Sequence, residues 1–393
     1  MLHCLLYLLL APLLEAQEPF RPEVRVWLTR WRNLPLVVTS ASPWQATGAE
    51  KTHRLPAGET VTVEREGDDL ALRFGGKRVT AQEWTLQGEA PLTLSQNAGS
   101  NSQQSYRGRL VLRLRQGKLQ VVNVLPLEEY LLGVVPLEMP PRFPAEALKA
   151  QAIAARSWSV RNRGKHEAEG TDFCDGTHCQ VYRGMLAEQE STTQAVRETA
   201  GLILVNAEAP VDGVYTADCG GQPLSPDGAN APASDRDEQG EDYCAANPRH
   251  CWVLRFPILE VWQLAGGKDS PQEAPKGDVE AQVVQTDSSG RVRVLRLRWG
   301  NQTADIAATQ LRQRLLLPST LCSVRVEADG TLVFEGRGSG HGGGLCQWGA
   351  AGRARVGQKA EQILQFYYPS AQLAPLSEAM WRWREDRKGK SAR

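Results

Sequence analysis

The chain has 393 residues, 41% of them apolar and 23% charged, with Lys plus Arg equal to Asp plus Glu at 45 each. That is length enough for two or three domains and a sizeable core, at an ordinary soluble-protein composition. The charge balance argues against nucleic acid or an anionic membrane as the main partner.

The chain opens "MLHCLLYLLLAPLLEAQ", with an apolar run from Leu5 to Leu14 that is too short to span a bilayer comfortably. Ala16 then precedes polar sequence, so residues 1–16 read as a secretory signal, although no Lys or Arg precedes the run. Export to a periplasmic or extracellular, cell-wall-associated location follows as the expectation. Loss of the signal removes Cys4 and leaves Cys174, Cys179, Cys219, Cys244, Cys251, Cys322 and Cys346. Seven is an odd number for disulfides, and clustered cysteine also suits metal, so the count leaves both open.

From 17 to 105 the pattern is β-rich. Segments such as "EVRVWLTR", "ETVTVERE" and "DLALRFGGKRVT" alternate apolar and polar residues between Gly and Asp turns. "RLVLRLRQGKLQVVNV" adds a hairpin turning at "RQGK", and the polar "QNAGSNSQQS" (96–105) reads as a surface loop.

A core region is expected from 106 to 258. "LPLEEYLLGVV" predicts a short helix, and Pro144 opens an alanine-rich helix with no breaker before Arg161. Leu148, Ala152 and Ala155 share one face of it and predict core contact. "AEQESTTQAVRETAG" predicts a helix closed by Gly201, followed by strands at "LILVN" and "VDGVYTAD". Residues 222–250 read as loop. A β-rich insertion is expected from 259 to 332, a glycine-rich motif from 333 to 372, and a charged tail from 373 to 393, of which "RWREDRKGKSAR" (382–393) reads as disordered. The fold class is α+β, with the alanine-rich helix packed on strands.

Three stretches carry candidate chemistry. In "GVVPLEMPPRFPAEALKAQAIAARSW" (133–158) a lone carboxylate, Glu138, stands between an apolar run and a proline cluster. It is either a capping or surface group or a chemically purposeful one, because buried carboxylates are unfavourable unless paired or neutral. "CDGTHC" places Cys174, His178 and Cys179 within six residues, with His166 as a fourth candidate donor. Zinc prefers these donors, but a Cys174–Cys179 disulfide is equally consistent with the spacing. "GRGSGHGGGLCQWGAAGRA" (336–354) contains a G-x-G-x-x-G spacing, yet too little chain follows for the βαβ unit that dinucleotide binding needs. Its glycines instead suit close backbone approach around His341. "VYTADCGGQP" (214–223) is a similar turn, and "YCAANPRHCW" adds Cys244 and Cys251, whose pairing or metal use the spacing leaves open.

With these residues assembled, the chain resembles the stage II sporulation protein D and amidase-enhancer family. The resemblance runs through "YRGRLVLRLRQGKLQVVNVLPLEEYLLGVVPLEMPPRFPAEALKAQAIAARSW", "THCQVYRG", "VYTADCGG" and "GRGSGHGGGLCQWGAAGRARVGQKAEQILQFYYP", in family order over residues 106–369. It implies a lytic transglycosylase that cleaves peptidoglycan glycan strands lacking stem peptides, with Glu138 of the "EMP" motif as the catalytic residue. It implies a structural zinc on Cys174, His178 and Cys179, with His166 matching more loosely. It also implies that Arg156, Tyr182, Tyr215, His341 and Gln347, all in family motifs, line the groove. Such an enzyme needs one carboxyl group, which protonates the glycosidic oxygen and then accepts the proton of the muramyl C6 hydroxyl. The apolar neighbours Val134, Val135, Leu137 and Met139 would favour the protonated form of Glu138, and an ion pair with Arg156 would oppose it. Two other function classes stay in view. One is a non-catalytic glycan-binding module that stimulates a cell-wall amidase; the other is a thiol hydrolase using Cys179 or Cys346.

Overall fold

The computed structural model describes residues 20–97, 102–225, 234–266 and 278–383. The expected signal at 1–16 lies outside the described residues. Among those described, no helix is long and apolar enough to cross a membrane.

The alternating segments near the N-terminus form two sheets. One has seven strands in the order Phe173–Cys174, Glu23–Trp27, Lys118–Pro126, Arg109–Arg115, Glu83–Gly88, Trp44–Gly48, Lys51–Leu55. The other has six, in the order Gln104–Tyr106, Leu92–Ser95, Leu36–Ser40, Val61–Glu66, Asp69–Phe74, Lys77–Ala81. Period-two alternation turns Val24, Val26, Val61, Val63, Leu70, Leu72, Leu110 and Leu112 into one shared core. The "RQGK" hairpin turns through Gln116 and Gly117, both at positive φ, as a tight two-residue turn requires. The sheet runs past the boundary expected at 105, to Pro126, because Arg109–Arg115 pairs with both Glu83–Gly88 and Lys118–Pro126.

Lys118–Pro126 is buried on both faces from Leu119 to Leu125, since helices cover the side away from the second sheet. These are α1 (Leu127–Leu132), α2 (Val135–Glu138), α3 (Ala145–Asn162) and α4 (Glu190–Glu198). Helix α4 ends at Thr199, two residues short of the expected glycine; Gly201, at positive φ, belongs to the turn after it. Helix α3 is the centre of the core. Every residue from Ala147 to Val160 except Lys149 is buried, so the helix is enclosed on all sides and not on one face alone. Its alanines permit this. At Gly213, even a Cβ would overlap the carbonyl oxygen of Ala154.

The chain then returns through Leu202–Asn206, which pairs with Ala209–Pro210 and with Gln372–Pro375. "VDGVYTAD" contributes only the short strand Tyr215–Thr216, parallel to Leu345–Cys346. The described residues between 251 and 337 form a body with its own core. Helix α5 (Ile258–Gly266), helix α6 (Ala308–Arg314) and two three-stranded sheets enclose Ile258, Trp262, Leu295, Trp299, Leu311 and Phe334. The strands that enter and leave it, Cys251–Pro257 and Thr331–Arg337, pair with each other, so its two joins lie side by side. Helices α7 (Gln347–Arg355) and α8 (Ala360–Tyr367) complete the core against α3.

The segment expected as a charged tail from 373 begins with ordered structure, and of the stretch read as disordered (382–393) all but Arg382 and Trp383 lies outside the described residues. Gln372–Pro375 is a paired strand, and Trp381 is buried against the N-terminal core. Trp381 and Trp383 lie under the guanidinium groups of Arg163 and Arg161. Two indoles supply the apolar area that the charge-rich composition conceals. The architecture is α+β.

Candidate active site

Glu138 is the last residue of α2. Pro140 and Pro141 prevent continuation of the helix, and the buried Met139 side chain anchors its end. The carboxylate therefore projects from a fixed helix terminus into a cavity of about 210 Å³, shared with Trp158, Thr177, Cys179, Val181, Val214, Tyr215 and His341. One Glu138 oxygen accepts the Val181 N–H at 2.8 Å. Burial raises the Glu138 pKa above the ordinary carboxylate value, and the Val181 hydrogen bond offsets part of that. Among the described residues it has no ion-pair partner, and no second carboxylate lines the cavity.

Arg156 explains the missing cation. It is fully buried, and its guanidinium forks onto Glu128 at 2.7 and 2.8 Å. Its remaining N–H groups reach the carbonyls of Leu202 and Val196. Arg156 thus joins α1, α3 and the turn after α4, and does not line the groove. Tyr182 is likewise buried; its hydroxyl donates to Asn123 at 2.8 Å and its ring packs against Tyr106 and Tyr130. Gln347 is buried at the start of α7, donating to Gln151. These three are corrections to the expected groove: polar side chains in a tightly packed core are bonded to each other and unavailable to a ligand.

Tyr215 and His341 do reach the cavity. The Tyr215 hydroxyl accepts the amide N–H of Gln180 at 3.1 Å. Gln180, buried, also donates to the Ala155 carbonyl and accepts from Ser159 and Tyr130. This amide connects α3 to the segment that holds Val181 on Glu138. His341 sits at the rim, open to solvent on one side. Its Nδ1 accepts the Gly343 N–H at 3.1 Å, and the surrounding protein lowers its pKa, so the ring is held neutral. Gly344, at positive φ, lets the chain cross Val214; a Cβ there would overlap the Val214 carbonyl.

Next to the cavity, single donor atoms of His166, Cys174, His178 and Cys179 lie within 4.8 Å of one another. His166 Nε2 is 3.1 Å from His178 Nδ1, which is 3.8 Å from the Cys179 sulfur. Two thiols and two imidazoles match the donor set of a closed tetrahedral zinc site. Glu169 lies 3.5 Å from His166 Nδ1, where a carboxylate would orient the imidazole if a metal bound. Phe173–Cys174 pairs in parallel with Glu23–Trp27, so the first of the four candidate donors is fixed by the N-terminal sheet.

Sequence reading overlooked Trp158, Thr177, Val181, Val214 and Gln180. Val181 acts through its backbone N–H, which has no side-chain signature. The others lie in or beside quoted motifs, but their roles depend on contacts between distant segments.

The comparisons follow this geometry. The stage II sporulation protein family model matches residues 115–206, from the hairpin through Glu138, the four-donor cluster and α4. An uncharacterized protein of Brachyspira hyodysenteriae is 32% identical over 267 residues, 67% of this chain and 70% of that protein. Stage II sporulation protein D of Bacillus subtilis is 30% identical over 284 residues, 65% of this chain and 76% of its own length. This chain belongs to the stage II sporulation protein D family. A more distant member, the amidase enhancer of Bacillus subtilis, is 25% identical over 293 residues, which is 40% of its length.

Proposed function

We propose that this family member is an exported lytic transglycosylase of peptidoglycan, acting on glycan strands without stem peptides and leaving 1,6-anhydromuramyl ends. The observation that carries the reading is Glu138: one half-buried carboxyl, its pKa raised by burial, without a cation beside it or a second carboxylate in the cavity. Hydrolytic glycosidases use two carboxylates, because water must be activated opposite the leaving group. A transglycosylase uses one. Protonated Glu138 gives its proton to the glycosidic oxygen as the C1–O bond breaks. The muramyl C6 hydroxyl bonds to C1 and loses its proton to the Glu138 carboxylate, which restores the acid. The Val181 N–H holds the carboxyl in one orientation throughout, and the Tyr215 hydroxyl and neutral His341 are polar contacts for sugar hydroxyls.

Cys174, Cys179, His166 and His178 would hold a structural zinc. When bound, it would cross-link the loop that carries Thr177, Cys179 and Val181 along the cavity wall. Cys179 is then a ligand, and Cys346 is fully buried away from solvent, so neither serves as a thiol nucleophile.

A second reading rests on the relative named an amidase enhancer: the cavity binds glycan and the protein stimulates a cell-wall amidase without cleaving. Peptide-free glycan and mass spectrometry of the products distinguish the two. Wild-type protein should release anhydro ends, and Glu138→Gln should lower the rate by roughly 100- to 10,000-fold while retaining glycan binding. Reducing ends as the main product would make the protein a hydrolase. Absence of cleavage, with binding and faster amidase turnover, would favour the enhancer reading.

A further inference from the structure

Three thiols take no part in the cavity. Cys219 follows the strand Tyr215–Thr216, Cys244 lies in the loop ahead of the inserted body, and Cys346 caps α7. All three are fully buried. Their sulfurs and one carboxylate oxygen of Asp235 lie within 4.8 Å of one another. Cys219 Sγ is 3.9 Å from Cys244 Sγ and 3.5 Å from Asp235 Oδ2. Sulfurs bonded tetrahedrally to one zinc at about 2.3 Å are about 3.8 Å apart, whereas disulfide sulfurs are about 2.05 Å apart. The observed spacing is that of ligands around a shared ion.

The surroundings match a cluster of negative charge. The Cys346 sulfur accepts the N–H groups of Cys219 at 3.2 Å and Gly349 at 3.3 Å, and such bonds favour a thiolate. Two buried arginines flank the group. Arg353 is paired with Asp235 at 2.9 Å, and Arg291 donates to the Cys219 carbonyl at 2.6 Å. Three thiolates and a carboxylate around a divalent ion leave two negative charges, which two guanidinium groups offset. His250, close to Cys244, faces Asp218 and Asp242 at 3.1 Å with its two ring nitrogens and stands outside this group of four.

We infer that Cys219, Cys244, Cys346 and Asp235 form a second metal site, for zinc or another thiophilic divalent ion. Uptake would release the thiol protons to solvent. The ion would bind the parallel pair Tyr215–Thr216 and Leu345–Cys346 to the loop preceding the insertion, fixing the back of the wall that presents Tyr215.

The test is metal content of the full chain. A Cys174→Ser/Cys179→Ser variant retains this cluster and removes thiols of the other four-donor group. It should still hold one zinc per chain by elemental analysis. Loaded with cobalt(II), it should show tetrahedral visible bands and near-ultraviolet charge transfer of three thiolates. Cys346→Ser should lower the zinc content of the wild-type chain by one equivalent. Two outcomes would overturn the inference: a Cys174→Ser/Cys179→Ser protein without zinc or a cobalt–thiolate band, or non-reducing peptide mapping that finds Cys219 and Cys244 disulfide-bonded. If Cys346→Ser does not fold, the first variant and the peptide map of wild-type protein decide the matter.

Discussion

At Glu138 one carboxyl group links stability to activity. Its folded-state pKa is raised above the ordinary value of 4.5, so the folded protein holds this proton more tightly than the unfolded chain does. The stabilisation is complete below pH 4.5 and is lost as pH rises through the folded value. Glu138→Gln should therefore be more stable than wild type on the alkaline side of that window and show no advantage below it, as thermal melts over a pH series would reveal. If Glu138 is the proposed general acid, activity should fall over the same window, since only the protonated form can then deliver the proton. Arg156 is a residue of the opposite kind. Arg156→Ala would take the guanidinium from Glu128, which keeps the Gly201 N–H, and from the half-buried Leu202 and buried Val196 carbonyls. The expected loss is about 3 kcal/mol, at the lower end for a broken buried pair because Glu128 is 38% exposed and can be rehydrated. Urea denaturation measures it, and Arg156→Lys should recover only part, because ammonium lacks the fork.

Among the elements, the segment from Phe173 to Tyr182 joins the four-donor cluster to the cavity that holds Glu138. It begins as a strand on the N-terminal sheet, carries three candidate ligands, and ends with Val181 on Glu138 and Gln180 on α3. If zinc binds there, Cys174→Ser/Cys179→Ser should lower the melting temperature by roughly 5 °C or more. Glycan cleavage should fall too, because Val181 would no longer hold the carboxyl. Added zinc should restore neither in the variant, yet should restore both in chelator-treated wild type. Unchanged melting in the variant would remove the structural role. Helix α3 supports this segment without touching substrate along most of its length. Of its polar residues Gln151, Arg156, Ser157 and Ser159, the first two were legible as exceptions in an alanine run. Their partners were not, because those partners come from elements 20 to 200 positions away in the chain.

At the scale of the whole molecule, the described residues form three buried clusters. The N-terminal sheets, the α3-centred core and the inserted body each have their own buried cluster. The C-terminal segment returns to the first of them through Trp381, which is buried beneath Arg163. Trp381→Ala should cost about 3 kcal/mol, from lost apolar burial and the cation contact. Hydrogen exchange should rise in the strand Gln372–Pro375 and its partner Leu202–Asn206, with the inserted body unaffected. Increased exchange in the insertion as well would mean that the cores unfold as one unit.

The sequence by itself determined the α+β class, the hairpins, the alanine-rich helix and the order of the motifs, because alternation, helix propensity, proline punctuation and motif order are local properties; Glu138 it offered as a candidate, through the family resemblance. Tertiary structure decided which polar residues face the cavity. Arg156, Tyr182 and Gln347 were drawn inward, where burial requires each polar group to find a protein partner. Tyr215 and His341 remained at the cavity. It also decided that Cys219, Cys244 and Cys346 meet, since parallel pairing of Thr216 with Cys346 joins segments 130 residues apart. Long-range pairing of this kind depends on chain closure around a common core, and single-chain spacing carries no record of it.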